Sequence, residues 1–245
     1  MATLFWIQYN PKITVDHTLK KYFGKYLYKL VVYAPAARLI DNKARESMDQ
    51  ALVRRKQIYS TISQNSWWGA RQNRDLDHAN VEFLEILRDI RQHRPAGIKL
   101  RVEEPRVQIY AETEQQLIDL VNAHFGPKFS NYVETIAGPA DSQAEAVLNS
   151  GAIIRKKEAG YRYKVILRDG RYGTDVKQSI LQYLLNLGED QIFLPKSGFD
   201  MLSKSTSYVW NLYFLANDPQ MTSFLSLIQP GIVSNIHELI VLPNK

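Results

Sequence analysis

The sequence has 245 residues and a formal net charge of +6, with 45% hydrophobic and 23% charged residues, 14 tyrosines and no cysteine. This composition is that of a folded globular protein and excludes a disordered chain, and the lack of cysteine excludes disulfides, thiolate zinc sites and a cysteine nucleophile. No apolar run approaches the roughly 20 residues that span a bilayer, and the N-terminus lacks the basic and apolar regions of a secretory signal, so we expect a cytoplasmic protein with no membrane partner.

The first half of the sequence predicts an N-terminal strand, a strand with the pattern Y-x-Y-K, two helices, a hairpin, a third helix and a closing strand. In chain order these elements lie at Leu4–Tyr9, Tyr26–Val32, Lys43–Ser63, Asp77–Gln92, Ile98–Val102 with Arg106–Tyr110, Glu114–Phe125 and Ser130–Ile136. We expect Asp77 to cap the second helix, and Val81, Leu84 and Leu87 to form its buried face.

The second half predicts the same order with one helix in place of the first two. Its strands lie at Tyr161–Leu167, Gln191–Leu194, Tyr208–Leu215 and Ile236–Leu242, its helices at Thr174–Leu187 and Pro219–Ile228, and a Ser-rich connection at Lys196–Ser207. Thr174 is the predicted N-cap of the first of these helices, and Asp218 that of the second, where proline follows at the first helical position. Residues 139–152 are the predicted linker between the two halves.

Three matches in the same order indicate that the halves are copies of one unit. They pair Tyr26–Lys29 with Tyr161–Lys164, Val107–Tyr110 with Trp210–Tyr213, and Ser130–Ile136 with Ser234–Ile240. The order β-α-β-β-α-β resembles the ferredoxin-like fold, an antiparallel sheet with two helices on one face. The sequence therefore predicts an α+β protein of two tandem ferredoxin-like units, residues 1–138 and 153–245, the first with a helical insertion near residues 43–94.

Basic residues are unevenly distributed between the two predicted units. Through Gly138 the chain has 20 basic and 15 acidic residues, whereas the remainder has 11 and 10. A basic, tyrosine-rich protein is compatible with nucleic-acid binding, because lysine and arginine contact phosphates and aromatic rings stack on bases. The same charge also serves simply to keep a soluble protein dispersed.

The turn from Arg168 to Thr174 is the first candidate binding site. Two glycines let backbone approach a ligand closely, and the amides at the start of the following helix favour an anion. The side chains that would contact a nucleic acid are Arg168, Arg171, Tyr172 and Lys177. An ordinary tight turn explains the same residues, since Asp-Gly is a common turn pair.

A basic stretch upstream of this turn is the second candidate. It consists of Arg155, Lys156, Lys157, Arg162 and Lys164. On a strand, Arg162 and Lys164 share one face, and the sheet face of such a unit is a place where single-stranded RNA binds. Tyr161 and Tyr163 occupy the opposite face, so this strand alone does not present rings and cations together. A solvated strand edge is the alternative interpretation.

The segment QNSWWGARQNR, residues 64–74, is the third candidate. Trp67 and Trp68 lie at the predicted bend between the two inserted helices, close to Arg71 and Arg74. Such residues either stack on bases or form the centre of a protein interface. The alternative is that one ring covers the apolar side of the two helices. Because the second half lacks this segment, we expect it to contact a partner.

Signals for an enzyme are weaker, and no motif indicates a cofactor. Acidic residues and one histidine surround the predicted start of the second helix, namely Asp75, Asp77, His78, Glu82 and Glu85. They could bind a divalent metal, but an acidic first helical turn also complements the helix dipole. The sequence favours a non-catalytic nucleic-acid-binding protein. The alternatives are an assembly protein with oligomeric or other protein contacts, of viral type, and a metal-dependent nuclease.

Overall fold

The structure, a computed structural model, describes residues 3–41, 46–63, 76–93, 95–204 and 208–242. The chain divides into two compact units, Met1–Ser142 and Gln143–Lys245. Each unit contains one five-stranded sheet, and helices are interspersed among the strands along the chain. The predicted α+β class is therefore confirmed. Within the described ranges, no helix combines the length and apolarity that a membrane crossing requires.

Unit 1 has a sheet in which one edge strand is parallel to its neighbour and all other pairs are antiparallel. Its strands are β1 (Thr14–His17), β2 (Tyr28–Tyr33), β3 (Ile98–Glu103), β4 (Arg106–Ala111) and β5 (Val133–Gly138). The order across the sheet is β1-β5-β2-β4-β3. Its described helices include α1 (Thr3–Tyr9), α2 (Met48–Ser63), α3 (Val81–Gln92) and α4 (Glu114–Leu120), which a π-helical turn at Val121–Phe125 continues.

Unit 2 has a sheet of the same kind and a separate two-stranded ribbon. Its strands are β6 (Ile153–Arg155), β7 (Tyr163–Leu167), β8 (Gly170–Arg171), β9 (Ile192–Phe193), β10 (Tyr208–Val209), β11 (Tyr213–Ala216) and β12 (Val233–Val241). The sheet order is β6-β12-β7-β11-β9, and β8 pairs with β10 in the ribbon. Its described helices include α5 (Ser142–Asn149) at the start, α6 (Thr174–Asn186), α7 (Lys196–Ser203) and α8 (Thr222–Ile228).

The two sheets agree in strand order and in one irregularity. In both, the central strand pairs with the last strand of the unit, and that last strand pairs in parallel with the edge strand. Both last strands carry a β-bulge, at Glu134 in β5 and at Ser234 in β12. Each bulge lies opposite the same step of its central strand, between the second and third residues after Lys29 in β2 and after Lys164 in β7. A bulge is a specific feature of a strand pairing, so its recurrence is a second similarity between the two sheets.

The strand register corrects two of the three matches in the sequence. Cross-strand partners and the shared bulge pair Lys29 with Lys164, Tyr110 with Leu215, and Ile136 with Ile236. The predicted equivalences of Tyr110 with Tyr213 and of Ile136 with Ile240 are therefore wrong. The two S-N-x-x-E-x-I patterns resemble each other without occupying equivalent positions. Only the Y-x-Y-K match places both strands in register.

Alternation along β2 separates a buried face of the unit 1 sheet from a polar one. Leu30 and Val32 are fully buried, and α4 packs against β2 and β4. Lys29 points to the opposite side, and its neighbours across β4 and β3 there are Tyr110 and Lys99. We call this side the polar face of unit 1. It is the side on which charged and aromatic residues of neighbouring strands come together.

The unit 2 sheet is divided in the same way. Val165 and Leu167 of β7 belong to the core, together with Phe214 of β11 and the apolar side of α6. Lys164 directly precedes the core residue Val165 in β7, so it points to the other side, which we call the polar face of unit 2. Each central strand therefore contributes a lysine to a polar face.

The predicted N-terminal strand at Leu4–Tyr9 is wrong, because this segment is helix α1. Helical spacing brings Phe5, Trp6 and Tyr9 into mutual ring contact. The indole of Trp6 is fully buried and donates to the Glu114 carboxylate at 2.9 Å, and the Tyr9 hydroxyl donates to the Gly126 carbonyl at 2.8 Å. Packing and hydrogen bonding on one side of a helix thus override the strand preference of aromatic residues.

Two elements of the second half also differ from prediction. The predicted strand Tyr208–Leu215 is two strands in different sheets, because Asn211 between them adopts a left-handed backbone with φ of 50°. The predicted connection Lys196–Ser207 contains helix α7, whose Gly198 and Leu202 are buried. Serine-rich composition concealed this short amphipathic helix.

The helix caps are confirmed in one case and wrong in two. The side chain of Asp218 accepts from the Gln220 amide at 2.8 Å, as predicted. Helix α6 begins after Gly173 rather than Thr174, without a side-chain cap. Helix α3 is capped by Asn80 and not by Asp77. In both cases the predicted cap lies within one helical turn of the observed cap.

We expect the contact of Trp6 to be important for the stability of unit 1. Replacement of Trp6 by Ala should lower the free energy of unfolding by about 3–5 kcal/mol, because it removes a large buried ring. Leu4 lies on the same helix and is 70% exposed, so Leu4→Ala should change stability by less than about 0.5 kcal/mol. Chemical denaturation monitored by circular dichroism measures both, and equal effects would contradict the packing of α1.

Candidate nucleic-acid interface

The turn that follows β7 is held to neighbouring elements by hydrogen bonds. The Arg168 amide donates to the Ile232 carbonyl at 2.7 Å, and the Tyr172 hydroxyl donates to the Arg168 carbonyl at 2.7 Å. The Asp169 carboxylate accepts from the Asn211 amide at 2.7 Å. Partial burial raises the pKa of Tyr172, because burial disfavours the phenolate, so its hydroxyl remains a donor at neutral pH. The backbone beneath the two exposed arginines of this turn is therefore fixed.

The ribbon of β8 and β10 places an exposed aromatic pair beside one of these arginines. Tyr208 lies opposite Arg171 in the ribbon, and its neighbour Val209 is buried. The rings of Tyr208 and Trp210 stack at 6.2 Å between centroids and 29° between planes, and the two residues are 48% and 52% exposed. We call Arg171, Tyr208 and Trp210 the Trp210 platform.

Sequence reasoning missed the aromatic part of this platform. The sequence predicts one continuous strand over Tyr208–Leu215, in which side chains would alternate between core and solvent. The spacing i, i+2 around the apolar Val209 was the available signal, because it puts both rings on the side opposite a buried residue. The pairing of β10 with β8 could not be read from the local sequence.

Lys177 does not belong to a surface site. Its side chain is fully buried, and its ammonium group donates to the carbonyl of Lys204. The prediction that Lys177 contacts a ligand is therefore incompatible with the structure. Lys177 precedes Ile180 and Leu184 on the same stripe of α6, and both of these residues are buried. The helical period places its side chain in the core.

The upstream basic residues lie at the other end of the central strand. Arg155 pairs with Val241 at the end of β12, and the Arg162 carbonyl accepts from the Leu239 amide of the same strand at 2.7 Å. Lys156 and Lys157 follow Arg155 and are exposed. We call Arg155, Lys156, Lys157 and Arg162 the basic end of unit 2. A carboxylate of Glu238 lies 3.8 Å from Arg162, so one of these charges is partly balanced.

Lys164 lies between these two groups, on the polar face of unit 2. Its ammonium nitrogen is 3.8 Å from the centroid of the Tyr213 ring. The prediction that this segment keeps its rings and cations apart does not hold, because the Arg162 guanidinium lies 5.7 Å from the centroid of the Tyr163 ring. The ring on the side of Lys164 comes from the neighbouring strand β11. Cross-strand neighbours, which a single strand does not reveal, supply the missing aromatic group.

The predicted basic site is therefore divided into two exposed groups. Strand β7 has five residues, so the Arg168 turn and the basic end are separated by roughly 17 Å at 3.3 Å per residue. Lys164 and Tyr213 lie on the sheet between them. A single compact phosphate pocket is excluded by this separation, whereas an extended ligand could reach both groups.

The remaining candidates are less well defined. Residues Trp67, Trp68, Arg71 and Arg74 lie outside the described residues, as does Asp75. Of the acidic group, Asp77 pairs with Lys56 at 2.9 Å, Glu85 with Arg88 at 3.2 Å, and Glu82 with Lys128. Among residues that the structure describes, no three histidine or carboxylate side chains come together as a metal site.

No protein-family model and no curated protein matches the chain. The geometry of the described residues is therefore the basis for the functional proposal.

We expect the burial of Lys177 to protect it from chemical modification. In the native protein, an amine-reactive reagent should modify Lys156 and Lys157, which are exposed, but not Lys177. All three should react after denaturation. Peptide mass spectrometry reports each site separately. Modification of native Lys177 as fast as Lys157 would contradict its burial and show that it lies on the surface.

Proposed function

We propose that the protein binds nucleic acid without catalysis, and that unit 2 provides a stacking platform and a basic end for one extended strand. The observation that carries this proposal is the Trp210 platform, in which two half-exposed stacked rings lie beside Arg171. Flat aromatic surfaces bind unpaired bases of any sequence, because every base has a π-face. The ligand is therefore a single strand, or an unpaired region of a structured RNA or DNA.

We also propose that both units are ferredoxin-like and arose by duplication. The core strands of unit 1, taken in chain order, lie in the order fourth, first, third, second across the sheet, and those of unit 2 do the same. Neighbouring core strands are antiparallel in both. This arrangement and the shared bulge support the proposal. Each unit adds a parallel edge strand, β1 or β6, to the βαββαβ pattern.

Phosphate contacts would come from charges on either side of the platform. Arg168 and Arg171 are exposed at the turn, and the basic end supplies further cations roughly 17 Å away along β7. Phosphates of a single strand are regularly spaced, so a strand whose bases stack on Trp210 could place other phosphates toward the basic end. These contacts release counterions, which makes affinity depend on salt and only weakly on sequence.

An aromatic pair elsewhere in unit 2 provides an internal comparison. Tyr183 and Phe224 also stack, at 4.5 Å between centroids and 24° between planes, and Phe224 is 49% exposed. Helix α8, which carries Phe224, has no charged residue in its sequence TSFLSLI. Exposed stacked rings are thus present at both places, but only the Trp210 platform has an arginine directly across from a ring.

We expect Trp210→Ala to weaken the binding of a single-stranded oligonucleotide. The loss of one stacked base costs about 1–3 kcal/mol, or roughly 5- to 150-fold in affinity. Phe224→Ala removes a ring of similar exposure and should leave affinity within about twofold, because exposed contacts away from the site contribute little. Fluorescence anisotropy with a labelled oligonucleotide measures both. Equal affinities of the Trp210 and Phe224 variants would contradict the proposal.

The alternative function, that of an assembly protein, places its contacts on the sheets and on the loop of Trp67 and Trp68. Because these residues lie outside the described ranges, the alternative remains a prediction from the sequence. The nuclease hypothesis likewise stays a prediction for Asp75, while the described carboxylates Asp77, Glu82 and Glu85 are paired with basic side chains.

A further inference from the structure

The polar face of unit 1 carries a tight turn that the sequence did not single out. Tyr22 and Tyr26 form an antiparallel bridge, in which the Tyr22 amide donates to the Tyr26 carbonyl at 2.8 Å and the Tyr26 amide donates back at 3.0 Å. Phe23 and Gly24 are at the tip of this turn. The turn lies over the sheet, because the rings of Tyr22, Phe23 and Tyr26 all contact Tyr110 of β4.

Phe23 has an unfavourable backbone conformation for its residue type. Its φ is 53° and that of Gly24 is 71°, so two successive residues are left-handed. Glycine and asparagine are the usual residues at such positions, and a bulky aromatic side chain there is a strained exception. This conformation places the Phe23 ring at the tip of the turn, where it is 50% exposed. Strained residues of this kind concentrate at ligand sites.

Two lysines of the sheet lie against this aromatic group. The ammonium nitrogen of Lys99 is 3.5 Å from the centroid of Phe23, and that of Lys29 is 5.2 Å from the centroid of Tyr22. Tyr110 separates the two lysines, since it lies opposite both across β2 and β3. We call Phe23, Lys29 and Lys99 the Phe23 site.

The charge of the Phe23 site is not balanced by its neighbours. Lys25 pairs with Glu112, and Arg101 pairs with Glu103, each at 2.8 Å. Over the described residues, by contrast, neither Lys29 nor Lys99 forms an ion pair with a carboxylate, and both contact rings instead. Unit 1 also carries most of the positive charge of the chain, with 20 basic and 15 acidic residues through Gly138. An exposed ring above uncompensated cations is complementary to a base with its phosphates.

We propose that the Phe23 site is a second base-stacking site for single-stranded nucleic acid. One unpaired base stacks on the exposed side of Phe23, and the flanking phosphates contact Lys29 and Lys99. The site takes its ligand class from the proposed function, but it shares no residue with the Trp210 platform. The strained turn pre-positions the ring, so little ordering is needed on binding.

Two substitutions at Phe23 test this site in the full chain. Phe23→Gly removes the ring while fitting the left-handed backbone, so the fold should be retained, with a thermal midpoint within about 4 °C of the wild type. Phe23→Trp keeps an aromatic surface. On a single-stranded oligonucleotide, the glycine variant should bind roughly 5- to 150-fold more weakly, and the tryptophan variant should bind about as well as the wild type.

An abasic strand of the same length separates stacking from charge. Because it retains the phosphates but lacks bases, the wild type and Phe23→Gly should bind it equally. If the wild type binds the oligonucleotide and Trp210→Ala weakens it while Phe23→Gly does not, the second site is wrong and the proposed function stands. If the wild type binds no oligonucleotide, both are wrong. If Phe23→Gly weakens binding of the abasic strand or of poly-glutamate as much as it weakens binding of the oligonucleotide, the surface binds anions in general. That result would overturn base stacking.

Discussion

The two-sided pairing of the central strands is the constraint on which the rest of the structure depends. Strands β2 and β7 each have a neighbour on both sides, so both edges of each strand are paired within the sheets over most of its length. Every second side chain must then be apolar to fill the core, and those between them are free to be charged. Lys29 and Lys164 occupy equivalent positions on the two polar faces. Each contacts a ring from another segment, Tyr22 for Lys29 and Tyr213 for Lys164.

The features proposed to bind nucleic acid are not the features that the two units share. The common core has the same order and the same bulge in both, whereas the Trp210 platform belongs to a ribbon found in unit 2 and the Phe23 site to a turn in unit 1. Each addition holds exposed rings close to cations, which are Arg171 of the ribbon itself in unit 2 and Lys29 and Lys99 of the sheet in unit 1. Rigid sheets thus carry variable aromatic segments, an arrangement in which binding can diverge while the fold is retained.

The sequence predicted those parts of the fold that depend on local pattern. The Y-x-Y-K strands, the hairpin before Tyr110 and the amphipathic helices follow from alternation and helical period. Register did not, because the bulges at Glu134 and Ser234 shift the pairing in a way that no short pattern records. The burial of Lys177 was readable from its stripe on α6. The Trp210 platform was not, because it depends on the pairing of two strands separated in the chain.

The dependence of binding on salt tests the central proposal most directly. The affinity of the full chain for a single-stranded oligonucleotide should fall linearly with salt on logarithmic axes, with a slope of about −0.7 for each phosphate contacted. Contacts from the Arg168 turn and the basic end together would make the slope steeper than roughly −1.4, which corresponds to two phosphates. An affinity that does not change with salt, or no binding at low salt, would contradict a nucleic-acid-binding function.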